Sequence, residues 1–145
     1  MSELGPIDPA ELKGILDDEG LTVCASHVSY ERLRDETAAV VEEHRLWNCH
    51  HVAIGGLPAA YHHPAGYSLF AREASAVARR LSDAGLTFSY HNHSFELERL
   101  MAARAWSFCT RRATQVFTGE LDTYWLQHGG GVASVGAADA SANRM

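Results

Sequence analysis

A clustered basic surface is missing from this sequence, and that absence removes nucleic acid as the expected partner. Lysines and arginines number 12 against 18 aspartates and glutamates, giving a formal net charge of −6 with the nine histidines neutral. A surface that tracks phosphates needs basic side chains in groups. Only Arg79-Arg80 and Arg111-Arg112 stand as pairs, and solvated helix faces explain both. Cysteine is scarce and shows no pairing pattern: Cys24, Cys49 and Cys109 are odd in number, far apart and without a CxxC spacing. That excludes a disulfide framework or a zinc knuckle and fits reduced thiols in a cytoplasmic protein. No apolar run approaches the roughly 20 residues a membrane helix needs. Met1 to Pro9 has neither a basic n-region nor an apolar h-region. The expectation is a soluble, cytoplasmic chain with neither membrane nor nucleic acid as partner.

What is present is the pattern of one α/β domain. The 145 residues are 46% hydrophobic and 21% charged, enough for a real core. Asp8-Pro9-Ala10-Glu11 reads as a helix start: Asp8 caps, Pro9 suits the first helical position, and Glu11 completes a capping-box spacing. Leu12, Ile15 and Leu16 form its apolar stripe and Gly20 its stop. A β-type run from Leu21 to Val28 follows. The next helix is expected from Tyr30 to Trp47, with Leu33, Val40, Val41, His44 and Trp47 on one face. His51 to Gly55 reads as a strand that Gly56-Leu57-Pro58 ends. Tyr67, Phe70, Ala71, Ala74, Val77, Ala78 and Leu81 keep the helical period most closely. Gly85 closes that helix, and Leu86 to His91 is the next strand.

Short apolar strands alternating with helices are the grammar of βαβ units and a parallel sheet. Asp18-Glu19-Gly20-Leu21-Thr22 and Asp83-Ala84-Gly85-Leu86-Thr87 echo one another as helix-to-strand links. Each of those strands then reaches a histidine, His27 and His91. Beyond Glu98 the grammar weakens: Leu100 to Ala113 predicts a helix with a poor stripe, in which Trp106 packs. Val116 to Trp125 predicts a further strand. Residues 1–130 make up the expected domain, and the Ala/Ser/Gly-rich segment 131–145 is an expected disordered tail.

In parallel α/β barrels the functional groups sit at the C-terminal ends of strands. Ser26 and His27, Tyr90 to Glu96, and Asp122 fall there. Imidazole and carboxylate together suit a divalent metal such as Mn²⁺, Mg²⁺, Co²⁺ or Zn²⁺. A metal gripping two neighbouring sugar oxygens acidifies the C–H between them, and a carboxylate then moves the proton. A plainer reading stands beside each residue. Asp122 also fits a cap after a strand, His91 and His93 a hydrogen-bonded pair, Glu96 a solvent-facing carboxylate, and His27 a satisfied half-buried histidine. His50-His51 and His62-His63 read as surface histidines, since strand neighbours point to opposite faces.

Five segments, in order and spacing, resemble the sugar phosphate isomerase/epimerase family. They are Ile7 to Lys13, Val23-Cys24-Ala25-Ser26-His27-Val28, Gly56-Leu57-Pro58, Tyr90-His91-Asn92-His93-Ser94-Phe95-Glu96 and Glu120-Leu121-Asp122-Thr123-Tyr124-Trp125. The resemblance implies part of a xylose isomerase-like (β/α)8 TIM barrel, about four parallel strands with intervening helices. It implies metal-assisted isomerisation or epimerisation of a small sugar or sugar phosphate. Tyr90 to His93 corresponds to the fifth strand of that barrel and Glu120 to Asp122 to the sixth. Asp122 then stands where the family has an aspartate ligand, and His91, His93 or Glu96 supplies the fifth-strand ligand. Glu96 and His91 are the implied catalytic groups; His27, Trp125 and His128 the implied substrate-facing ones.

Nothing resembles the family's first two or last two strands, and a full barrel has roughly 250 residues. Two further expectations follow. One is a non-catalytic remnant, or a subunit whose open sheet edges pair with another chain. The other is a metal-dependent hydrolase or endonuclease of the same superfamily, which the acidic charge disfavours.

Overall fold

The computed structural model describes residues 5–95, 99–100, 103–104 and 117–130. The first helix, α1 (Pro9–Asp18), starts as its sequence requires. The Asp8 carboxylate accepts the backbone N–H groups of Ala10 at 2.9 Å and Glu11 at 3.1 Å, satisfying donors that have no partner inside the helix. Its expected stripe narrows to Leu12, because Ile15 is 47% exposed. The Trp47 indole N–H donates to the Pro9 carbonyl at 3.0 Å and ties α1 down.

Strand β1 is only Ser26–His27, shorter than the expected run from Leu21 to Val28. The reason is the ladder partner. Ser26 pairs with Val52, and β2 (His51–Ile54) begins just one residue earlier. Residues 21–24 therefore have no opposite strand to bond, and Leu21 stays exposed. The helix expected from Tyr30 to Trp47 is likewise corrected to two, α2 (Tyr30–Asp35) and α3 (Thr37–Leu46). Glu36, at φ −124° and ψ 32°, breaks the run. The Thr37 hydroxyl then captures the Leu33 carbonyl at 2.6 Å. The buried face survives the break, with Tyr30, Leu33, Val40, Val41 and His44 all inside.

Helix α4 (Pro64–Asp83) buries every residue of the stripe expected for it, from Tyr67 through Leu81. Its cap is His63, whose Nδ1 accepts the Gly66 N–H at 3.1 Å. Gly66 is glycine for space: a Cβ there would lie 2.4 Å from the Tyr61 carbonyl oxygen, in the short 3-10 turn Ala59–Tyr61. Phe70 sits edge-on to Tyr30 and Tyr61, with ring centroids at 5.0 and 5.3 Å, and to Tyr90 at 6.1 Å. These rings join α2, the 3-10 turn, α4 and β3 (Thr87–His91) in one core.

Beyond β3, the described part of the segment expected as a helix from Leu100 to Ala113 is an antiparallel pairing instead. Strands β4 (Arg99–Leu100) and β5 (Ala103–Arg104) face one another there. A helix with so poor a stripe has no face to bury, so nothing favours it over local pairing. Trp106, Cys109 and the expected tail 131–145 lie outside the described residues. The strand expected from Val116 to Trp125 is β6 (Phe117–Glu120), and the remainder turns into α5 (Thr123–His128).

The main sheet has the order β1-β2-β3-β6, and all its pairings are parallel. Along β3, Phe88 and Tyr90 are buried toward the helices while Thr87, Ser89 and His91 are only part-buried. The latter face carries small and polar groups, including the Ser89 and Thr118 hydroxyls 2.7 Å apart. Among the described residues no helix is long and apolar enough to cross a membrane.

His44 makes a pH-dependent link beneath the sheet. It is fully buried, with Nδ1 2.7 Å from the Val40 carbonyl and Nε2 2.7 Å from the Ser26 hydroxyl. A carbonyl only accepts, so Nδ1 carries the proton and Nε2 accepts from Ser26. Burial holds its pKa below the ordinary imidazole value, although the Val40 hydrogen bond opposes this. Below about pH 6.5 the unfolded chain therefore binds a proton that the folded one does not, and stability falls as pH falls. Urea unfolding between pH 7.5 and 5.5 is expected to show a loss of up to about 1.4 kcal/mol per pH unit from this group. A slope unchanged in His44→Gln would assign the effect elsewhere.

Candidate metal centre

The parallel sheet brings the C-terminal ends of β1, β3 and β6 to one rim, and each delivers a metal-type donor. His27 ends β1, His91 ends β3 and Glu120 ends β6. His91 and Glu120 are direct partners in register, so their side chains emerge on the same face. One ligand atom from each of His27, His91 and Glu120 lies within 4.8 Å of the other two. His27 Nε2 is 3.0 Å from Glu120 Oε2, and His91 Nδ1 is 3.6 Å from Glu120 Oε1. The two imidazole centroids are 5.1 Å apart. All three groups are part-buried. The glycines after β2 lie beside these rings: a Cβ on Gly55 would stand 3.7 Å from His27 Nδ1, an ordinary contact, and one on Gly56 only 3.1 Å from His93 Nδ1.

Asp122 does two things at once. Its Oδ1 caps α5 by accepting the N–H groups of Tyr124 at 2.9 Å and Trp125 at 3.2 Å. Its Oδ2 lies 3.6 Å from His91 Nε2. The capping reading and the functional one therefore describe different oxygens of one carboxylate. The His91 ring separates two carboxylates, Glu120 on its Nδ1 side and Asp122 on its Nε2 side.

The other expected residues stand farther out. His93 is 5.1 Å, centroid to centroid, from His91, outside the trio, and packs between Phe95 at 5.9 Å and Trp125 at 5.0 Å. Trp125 is part-buried on α5, and His128, exposed at the helix end, lies 5.6 Å from it. Glu96 lies outside the described residues. His50, His51, His62 and His63 are exposed as expected, although His62 also bonds the Leu57 carbonyl at 2.8 Å.

Glu120 is not among the residues the sequence pattern points to. The signal was there: Glu120 precedes Asp122 by two residues, and it closes its strand as His91 closes β3. Asn92 is not among those residues either; it is buried, and its side chain holds the backbone of Asp122.

The residues fit a divalent cation. Two imidazoles and a carboxylate form a mixed nitrogen and oxygen donor set. His91 Nδ1 is also buried with no hydrogen-bond partner among the described residues. No hydrogen bond fixes the tautomer at that nitrogen, so in the neutral ring it is able to serve as a donor atom.

The architecture matches solved barrels. Over 96% of its length the chain superposes on a sugar phosphate isomerase/epimerase from Parabacteroides distasonis, with a TM-score of 0.81 and 19% identity. The chain is part of a TIM barrel. It spans 55% of that isomerase/epimerase. An AP endonuclease, family 2, from Brucella melitensis is similar at a TM-score of 0.65 and 15% identity, with 91% of this chain and 60% of that one covered. A xylose isomerase-like TIM barrel/4-hydroxyphenylpyruvate dioxygenase fusion protein follows at 0.58 and 13%, covering 86% of this chain and 22% of the fusion. No family model matches the sequence, and no curated protein does. At these identities the likeness establishes the fold, a partial barrel, and the C-terminal rim of its sheet carries the His27, His91 and Glu120 cluster.

Proposed function

We propose that this barrel segment carries a divalent-metal site for isomerisation or epimerisation of a small sugar or sugar phosphate. The observation behind the reading is the convergence of His27, His91 and Glu120 within 4.8 Å on the rim where TIM barrels place their chemistry. His27, His91 and Glu120 would hold the ion, which is Mn²⁺, Mg²⁺, Co²⁺ or Zn²⁺ in this reading. Once bound, the cation would supply Lewis-acid polarisation of two neighbouring sugar oxygens. Asp122 Oδ2, free of the capping bonds its partner oxygen makes, is the carboxylate oxygen placed to hold a proton beside the site. The hydroxyl pair of Ser89 and Thr118 and the part-buried Trp125 give the surroundings the polar and aromatic character that suits a polyol. A net charge of −6 speaks against the phosphate-rich substrate of an endonuclease.

The test is equilibrium dialysis of the purified chain against each of the four cations. Deuterium exchange from solvent into a panel of aldoses, ketoses and their phosphates follows. One ion per chain and exchange at the carbon beside the carbonyl support the reading. A chain that takes up no cation overturns it. A second reading is favoured by the sheet edges, since β1 and β6 each have a strand partner on one side only among the described residues. In that reading the segment completes its barrel against another chain, and sedimentation would show association that rises with concentration.

A further inference from the structure

Asn92 follows the last residue of β3 and is 1% exposed. A buried primary amide must place two donors and an acceptor, and their partners show what it is for. The Asp122 N–H donates to Asn92 Oδ1 at 2.8 Å, and Asn92 Nδ2 donates back to the Asp122 carbonyl at 3.4 Å. The Asn92 backbone N–H meets the Glu120 carbonyl at 3.4 Å. In a continuing parallel ladder the Asp122 N–H would next bond the main chain of residue 92. Here the side-chain amide takes the place of a peptide group and carries the pairing past the end of β6.

That substitution matters for the site. Glu120 and Asp122 sit on either side of a single residue, and both face His91 from opposite sides of its ring. The amide of Asn92 holds the main chain of this turn against the strand that bears His91. We infer that Asn92 is a positioning residue, fixing Glu120 and Asp122 against His91 through a side-chain extension of the β3–β6 ladder. The inference rests on reading the trio as the metal-holding site, but the pairing itself is testable without metal. With the clamp in place a carboxylate oxygen stands 3.6 Å from each ring nitrogen of His91, Glu120 Oε1 from Nδ1 and Asp122 Oδ2 from Nε2.

The experiment uses the full metal-free chain, isotopically labelled, with and without Asn92→Ala. Backbone amide exchange at Asp122 is expected to accelerate about tenfold or more relative to the buried strand amides of Phe88 and Tyr90. The imidazole nitrogen spectrum of His91, recorded where the ring is neutral, is expected to shift as the two carboxylates lose their fixed places beside its nitrogens. Asn92→Asp keeps an acceptor for the Asp122 N–H and loses the donor, so it should fall between the two. It also carries the same readouts if the alanine variant does not fold. In a wild-type chain that binds Mn²⁺, Asn92→Ala should weaken that affinity about 10–100-fold, as loss of a supporting group does. Equal acceleration at Phe88, Tyr90 and Asp122, or an unchanged His91 spectrum, would overturn the assignment. A wild-type chain that binds no Mn²⁺ would overturn the proposed function and still leave exchange and the His91 spectrum to decide the clamp.

Discussion

Replacing Phe70 with alanine is expected to lower the unfolding free energy by about 3–5 kcal/mol, most of what a marginal domain has. Phe70 is 1% exposed and touches an aromatic ring on each of three other elements. Its removal costs transfer energy, leaves a cavity and takes the edge-to-face partner from Tyr30 and Tyr61 together. Tyr30 and Tyr61 meet only edge-on at 6.0 Å, too far apart to close the gap without moving α2. A control separates packing from polarity. The Tyr30 hydroxyl is buried with no hydrogen-bond partner among the described residues, and burial pushes its pKa well up. Tyr30→Phe removes an unsatisfied group and should leave stability equal or higher. Urea unfolding of the two variants decides: a Phe70→Ala loss below about 1 kcal/mol would mean the core relaxes into the space.

What could be read in advance, and what could not, divides along the range of the interactions. The α4 stripe and the Asp8 cap were legible because both depend on residues within a few positions of each other. The length of β1 was not, because it is set by where β2 begins, a fact of register between strands that no local pattern contains. The break at Glu36 was hidden for a related reason: the buried stripe runs on through it, so periodicity alone reports one helix. His63 is both the exposed histidine its position predicts and the α4 cap. An imidazole capping through Nδ1 lacks the Ser, Thr, Asp or Asn signature that marks a helix start. At the site, the strand-end rule brought out His27, His91 and Asp122. The value of Glu120 lies in standing opposite His91, which the pairing of β3 with β6 decides.

Glu120→Ala and Asp122→Ala are therefore expected to separate. The resemblance implies Asp122 as the ligand, whereas the proposed reading puts Glu120 in that place. An imidazole nitrogen serves one ion; among the described residues His91 gathers a second imidazole and a carboxylate within 4.8 Å, and its Nδ1 is the nitrogen facing that carboxylate. Asp122 has one oxygen committed to two backbone N–H groups of α5 and the other beside His91 Nε2. That is the arrangement of a carboxylate that orients a ligating histidine, whose loss costs about 10–100-fold in metal affinity. Glu120→Ala removes a donor of the set and should cost more than about 100-fold, beyond the range of such supporting groups. Stability is expected to rank the other way. Asp122→Ala forfeits the α5 cap, about 0.5–2 kcal/mol, whereas Glu120 is part-exposed and caps nothing. Among the described residues its side chain bonds His27, at the rim. Titration of both variants with Mn²⁺ and Zn²⁺, alongside urea unfolding, reads the two rankings independently. A larger affinity loss in Asp122→Ala would move the ion to the Nε2 side of His91 and make Glu120 the supporting group.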